Sequence, residues 1–167
     1  MANKPVEPNR GYKSTTADVV YTQESTAKEI VEYFNPEGNI LEPCMGDGVF
    51  YNLFNEPKDW CEIDKGRDFF EWTKPVDWII TNPPYSIFDL FLEHCLKVAD
   101  NVVLFVPLTK VFKSVKIERM ISEYGGIAEI VHMGSGGRHG FPFGFPTGCI
   151  HYKRGYKGDI KYTQKYE

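Results

Sequence analysis

Residues 76–85 read VDWIITNPPY. Val76, Trp78, Ile79 and Ile80 make a strand apolar enough for burial on both faces, which is how strands of a helix-covered parallel sheet read. The strand must stop at Asn82, because Pro83 and Pro84 lack the N–H groups that a ladder needs. Upstream, Asn39-Ile40-Leu41 is a short apolar strand running into EPCMGDG (42–48), followed by a helix expected at Val49–Phe54. That is the first half of a nucleotide-binding βα unit. Trp60–Asp64 reads as a second short strand, Arg67–Trp72 as a turn, and Ser25–Phe34 as a helix ahead of them all. Downstream, Ser86 and Asp89 have the spacing of a capping box, and Phe88, Phe91, Leu92, Cys95, Leu96 and Ala99 recur at helical intervals. Asn101–Val106 is a buried strand, Ser114–Tyr124 a helix stopped by Gly125-Gly126, Ile127–His132 a strand and Cys149–Lys153 the last one. The alternation predicts an α/β fold with a mainly parallel central sheet and helices on both faces.

A chain of 167 residues suits one domain. Residues 1–20 are polar and without periodicity and read as an N-terminal arm; 21–167 read as the domain. With 42% hydrophobic and 25% charged residues the composition is that of an ordinary globular protein, which excludes disordered and fibrous classes. Apolar runs are strand-length, too short to span a membrane, and the first residues lack the apolar segment of a secretory signal. Cys44, Cys61, Cys95 and Cys149 form no C-x-x-C pair, so neither a zinc site nor a disulfide framework is expected. A reduced, cytoplasmic enzyme or binding domain is the expectation that remains. Charge is divided unevenly. Residues 1–106 carry nine Lys and Arg against eighteen Asp and Glu, whereas residues 107–167 carry ten against five. A basic third can hold a phosphate backbone although the whole chain is at −4; an unevenly charged solvated surface is the plainer alternative.

Asn82-Pro83-Pro84-Tyr85 falls at the carboxyl end of a strand, where ligands of open α/β sheets bind. Its Asn side-chain oxygen, its carbonyls and its flat ring suit a planar molecule bearing an NH2 group. Taken alone, it also reads as a Pro-Pro turn entering a helix. In EPCMGDG, Gly46 and Gly48 allow close backbone approach, and the carboxylates favour an ammonium or hydroxyls over phosphate. Glu62 and Asp64 stand where a carboxylate commonly holds a ribose, or where a strand end is simply solvated. The loop GSGGRHGFPFGFPTG (134–148) combines six glycines, Phe141, Phe143 and Phe145 with Arg138 and His139. It reads either as a contact for a nucleic-acid strand or as a hairpin-like connection whose rings cap the core. Lys110, Lys113 and Lys116 are candidates for phosphate contacts or a solvated helix face. His94 and His132 read as structural, and Cys44 as a small packing residue.

Taken together and in this order, LEPCMGDG, CEID, DFF and TNPPY, preceded by Tyr21-Thr22-Gln23, resemble the S-adenosylmethionine-dependent amino-methyltransferases. The likeness is greatest to the adenine-N6 group that modifies DNA, and it covers roughly residues 20–150. It implies a Rossmann-like class I methyltransferase fold and S-adenosylmethionine as cofactor. It also implies nucleic acid, first of all DNA, as partner, with a second copy or a larger methyltransferase as a further one. The NPPY tetrapeptide also occurs in RNA adenine methyltransferases and in glutamine-N5 methyltransferases, and a non-catalytic cofactor-binding partner is a third reading. Carried over by residue, the resemblance sets Glu42, Pro43, Gly46 and Gly48 around the methionine part of the cofactor, with Thr22 near its carboxylate. Glu62 would hold the ribose, Asp68 the adenine amine, and Phe69 would lie beside that ring. Asn82 and the Pro83 carbonyl would hold the target amine, with Pro84 stiffening the segment and Tyr85 stacking on the base. No metal is implied, because the cofactor is already activated. Only five residues separate Glu62 from Asp68, so the helix and strand usual between them are expected to be short or missing, and no separate target-recognition domain is expected.

Overall fold

The computed structural model describes residues 20–166, so the arm expected over 1–20 lies, except for Val20, outside the described residues. The elements run α1 (Glu24–Phe34), β1 (Ile40–Glu42), β2 (Lys58–Trp60), β3 (Val76–Thr81), α2 (Phe88–Val98), β4 (Ala99–Pro107), α3 (Val115–Tyr124), β5 (Gly125–Ser135), β6 (Pro146–Arg154) and β7 (Lys161–Gln164). The strands join in one sheet in the order β2-β1-β3-β4-β6-β5-β7. β2, β1, β3 and β4 are parallel neighbours; β6 runs antiparallel between β4 and β5, and β7 lies parallel on β5 at the edge.

Alternation along the strands splits the core into two layers, because successive side chains leave a strand on opposite faces. Leu41, Ile79, Val102, Leu104 and Val106 pack with Phe88, Phe91, Leu92 and Cys95 of α2 and Ile117 and Ile121 of α3. Ile40, Ile80, Val103 and Phe105 pack on the other face with Ala27 and Ile30 of α1. Helices therefore cover both faces, as the pattern predicts. Ser114 caps α3, its hydroxyl accepting from Ile117 N–H.

Four local expectations are corrected. The helix expected at Val49–Phe54 is a single 3-10 turn, Tyr51–Leu53. The second strand is Lys58–Trp60 and not Trp60–Asp64, because the Glu62 side chain accepts from Asp64 N–H and left-handed Gly66 closes a turn over Ile63–Lys65. Among the described residues no strand lies between β2 and β3, as the short Glu62–Asp68 interval foretold. α2 is capped at Ile87 and not Ser86, since a 3-10 turn at Tyr85–Ile87 precedes it, and Asp89 pairs with Lys113. Finally, Cys149–Lys153 is not the last strand, since β7 follows; its residues KYTQ are mostly exposed and carry no apolar alternation by which to be seen.

Candidate functional site

β1, β2 and β3 end side by side, and buried polar contacts tie their carboxyl ends together. The Glu42 carboxyl, 1% exposed, accepts from Cys44 N–H (3.1 Å) and from the Thr81 hydroxyl (2.5 Å) across the sheet. Cys44 Sγ in turn donates to Asn82 O at 3.2 Å. Burial pushes the Glu42 carboxyl up to about 8, so at neutral pH it keeps its proton and acts as a neutral pin between β1 and β3. Burial likewise raises the Cys44 thiol well above its ordinary range, which leaves it unreactive.

Beyond the pin, the turn after β1 is held to β2. Gly46 donates its N–H to Glu62 Oε2 at 2.7 Å, and Asp64 N–H reaches Glu62 Oε1 at 3.3 Å. Gly46 sits at φ +53, and a Cβ there would meet only Tyr21 carbons at 3.6 Å and beyond, so backbone conformation, not crowding, demands the glycine. Both Glu62 oxygens are thus oriented by backbone donors while keeping lone pairs for further hydroxyls.

Asn82 is fixed at both ends of its amide. Nδ2 donates to Val20 O (3.0 Å) and Thr22 Oγ1 (3.2 Å), and Oδ1 accepts from the Tyr85 hydroxyl at 2.8 Å. The amide oxygen consequently faces the Tyr85 side. Tyr85 is half-buried against both core layers, and burial raises its phenol pKa, so it stays a donor.

These ends open on a cavity of about 850 Å3. Of the residues named from sequence, Thr22, Gly46, Glu62, Asp64, Asn82 and Pro84 line it. Glu42, Pro43, Gly48 and Pro83 are buried behind this wall, and Tyr85 adjoins Asn82 without lining the cavity itself. Asp68 and Phe69 are not brought to it. Asp68 caps the turn at Phe69–Glu71 by accepting from Phe70 N–H, while the Phe69 ring is core, 5.0 Å from Phe91 and 4.6 Å from His94. Asp47, one of the two carboxylates of EPCMGDG, lines it as well, and sequence reasoning missed Met45, Val49, Phe50, Ile63 and Lys65. Ile63 carried a usable signal as an apolar residue directly after Glu62, and the structure leaves it 38% exposed at the cavity.

On the target side, His139 is corrected: it is 4% exposed, with Nδ1 2.8 Å from Thr26 Oγ1 and Nε2 2.7 Å from Met133 O. It anchors the glycine-rich loop to α1 and β5 and has no access to a strand of nucleic acid. Lys113 is held by Asp89 at 2.5 Å, and Lys110 lies 5.5 Å above the Phe88 ring, whereas Arg138 is exposed. Among the described residues no helix is long and apolar enough to cross a membrane.

No protein-family model matches the chain, and no curated protein sequence does. Solved structures do match. The modification subunit of a type I restriction enzyme from Vibrio vulnificus superposes with TM-score 0.66 at 16% identity, over 89% of this chain and 47% of its own. A Listeria monocytogenes protein described as a class I S-adenosylmethionine-dependent methyltransferase gives 0.66 at 11% identity, over 95% and 68%. The 23S rRNA methyltransferase ErmE gives 0.62 at 15%, over 81% and 71%. The chain thus spans about half the length of the modification subunit. With the parallel sheet and its two helical layers, these likenesses define the fold as the Rossmann-like class I methyltransferase fold.

Proposed function

We propose that this chain transfers a methyl group from S-adenosylmethionine to the exocyclic N6 amine of adenine in DNA, with residues 21–167 acting as one methyltransferase domain. The observation that carries the reading is Asn82: its amide is locked in one orientation at the end of β3, on the same cavity whose facing wall holds Gly46 and Glu62. The cavity fits the cofactor, since about 850 Å3 lies within the roughly 300–1,000 Å3 of small-molecule sites. The backbone-oriented Glu62 carboxylate suits a ribose diol, and Gly46 and Thr22 suit the amino-acid end. Bound S-adenosylmethionine supplies a sulfonium-activated methyl group.

The protein's part is to bind and orient. An aromatic amine is a poor nucleophile because its lone pair is delocalised into the ring. Asn82 Oδ1 and the Pro83 carbonyl accept the two N6 hydrogens and favour a pyramidal nitrogen. Tyr85 stacks on the base, and its hydroxyl yields Asn82 Oδ1 to the incoming amine. Acceleration then comes mainly from positioning. A duplex base must leave its stack to reach this site, at a cost of about a few kcal/mol that the Tyr85 ring partly offsets. Support for DNA comes from the type I modification subunit among the structural neighbours and from the basic last third of the chain. That neighbour, a modification subunit, also supports work alongside further subunits.

The test is to incubate the protein with methyl-labelled S-adenosylmethionine and separate DNA, RNA and protein acceptors, then to digest the labelled pool. Label recovered as N6-methyladenine from DNA is the expected result. Label confined to RNA or to protein glutamine overturns the acceptor, and cofactor binding without any transfer overturns the enzyme.

A further inference from the structure

We propose that the glycine-rich loop is a stacking track for unpaired nucleotides flanking the target base, so that this site engages nucleic acid as a single strand; the inference rests on the nucleic-acid reading above. Four rings form a continuous ladder outward from Asn82. Tyr85 lies 6.3 Å from Phe141, Phe141 stacks on Phe143 at 5.2 Å with planes 13° apart, and Phe143 lies 5.4 Å from Phe145. These are the spacings of interacting aromatic pairs. Exposure rises along the ladder, from Phe141 at 4% through a half-buried Phe143 to Phe145 at 56%. Its inner end is core, and its outer end, three ring contacts out from Tyr85, is an apolar ring left in water.

The loop backbone holds this ladder in place. Gly136 N–H donates to Phe145 O (2.9 Å), and Phe141 N–H to Gly136 O (3.0 Å). A Cβ on Gly136 would fall 2.7 Å from Phe143 O and 3.2 Å from the Phe143 ring, so only glycine lets the ring-bearing segment fold over it. His139 bolts the loop to α1 and β5 from below. A partner therefore meets rings already ordered, and little conformational entropy is lost on binding.

The chemistry selects an unpaired strand. From Met133 to His151 the chain has no acidic residue, and its one Lys or Arg is Arg138, which is exposed and in no ion pair among the described residues. Rings that stack on any base, beside a cation for the backbone, are what sequence-tolerant single-strand binding uses. A duplex keeps its base faces covered and cannot use such rings.

The test employs the full chain and a single-stranded oligodeoxynucleotide holding one target adenine with 2-aminopurine beside it. The wild type should quench the 2-aminopurine on binding. Phe145→Ala should bind about tenfold more weakly without the quench, and Phe145→Trp should restore both, all three with the same melting temperature. Methyl transfer to the same oligonucleotide is read in parallel. A wild type that methylates it while Phe145→Ala binds and quenches equally well overturns the track alone. A Phe145→Ala protein unchanged toward the oligonucleotide but smaller in gel filtration assigns the ring to a contact between copies and overturns it too. A wild type that neither binds nor methylates the strand overturns the track, and if it also fails to methylate the same sequence as a duplex, the underlying nucleic-acid reading falls as well.

Discussion

The parallel part of the sheet (β2-β1-β3-β4) and the antiparallel part (β4-β6-β5) present their ends at the same edge in different ways. In the first, Glu42 is tied to Thr81 and Cys44 N–H and Glu62 to Gly46 N–H, with the acid at the centre neutral and sealed from water. In the second, β5 and β6 run past the parallel strands to pair Ser135 with Pro146, and the loop between them carries its outermost ring and Arg138 into solvent. A cofactor of constant shape suits walls with one arrangement, whereas a polymer of variable sequence suits exposed rings and a cation. Asn82 stands at the seam and belongs to both.

The seam is the place to break this division of labour. If Asn82 orients the target amine as proposed, Asn82→Ala should lower methyl transfer about 10²-fold or more in a radiolabel assay at saturating cofactor. Tyr85→Ala should fall with it, and Tyr85→Phe, which keeps the ring, should fall far less. On the parallel side, Glu62→Ala should weaken S-adenosylmethionine about 10- to 100-fold by titration calorimetry, the range for losing hydrogen bonds to a charged acceptor. Equal cofactor binding by that variant removes Glu62 from the site.

Stability separates the halves further. Glu42 goes from 4.5 to about 8 on folding, so between those values the folded chain keeps a proton that the unfolded chain has lost. Its stabilising contribution is full below 4.5 and is lost as pH rises through 8. Urea unfolding should show stability declining with pH across that window, at up to about 1.4 kcal/mol per pH unit, and Glu42→Gln should flatten the decline. The smallest effect lies on the target side. Arg138→Ala should reduce the slope of log affinity against log salt by about 0.7 for a single strand. Lys113→Ala should change it less, because Asp89 already neutralises that charge.

What could be read in advance follows the strength of each local signal. β3, over Val76–Thr81, emerges as expected because a continuous apolar run closed by two prolines has one compatible structure. α3, expected over Ser114–Tyr124 and stopped by Gly125-Gly126, emerges over Val115–Tyr124, and the structure adds Ser114 as its cap. The cavity lining was legible in part, since Thr22, Gly46, Glu62, Asp64, Asn82 and Pro84, singled out from the sequence, all line it. Phe69 and His139 misled because an aromatic ring and an imidazole satisfy a core as readily as a ligand, and sequence spacing does not reveal which side of the chain faces inward.

Sequence alone determined the α/β alternation, the two strand-end motifs and the uneven charge, because periodicity and backbone chemistry act within a few residues. Tertiary structure alone decided that Glu42 is a neutral pin, that the Asn82 amide faces Tyr85, and that three loop phenylalanines grade from core to solvent. Each of those depends on groups far apart in the chain, Thr81 for Glu42, Val20 and Thr22 for Asn82, Thr26 and Met133 for the loop, and folding alone brings them within hydrogen-bonding reach.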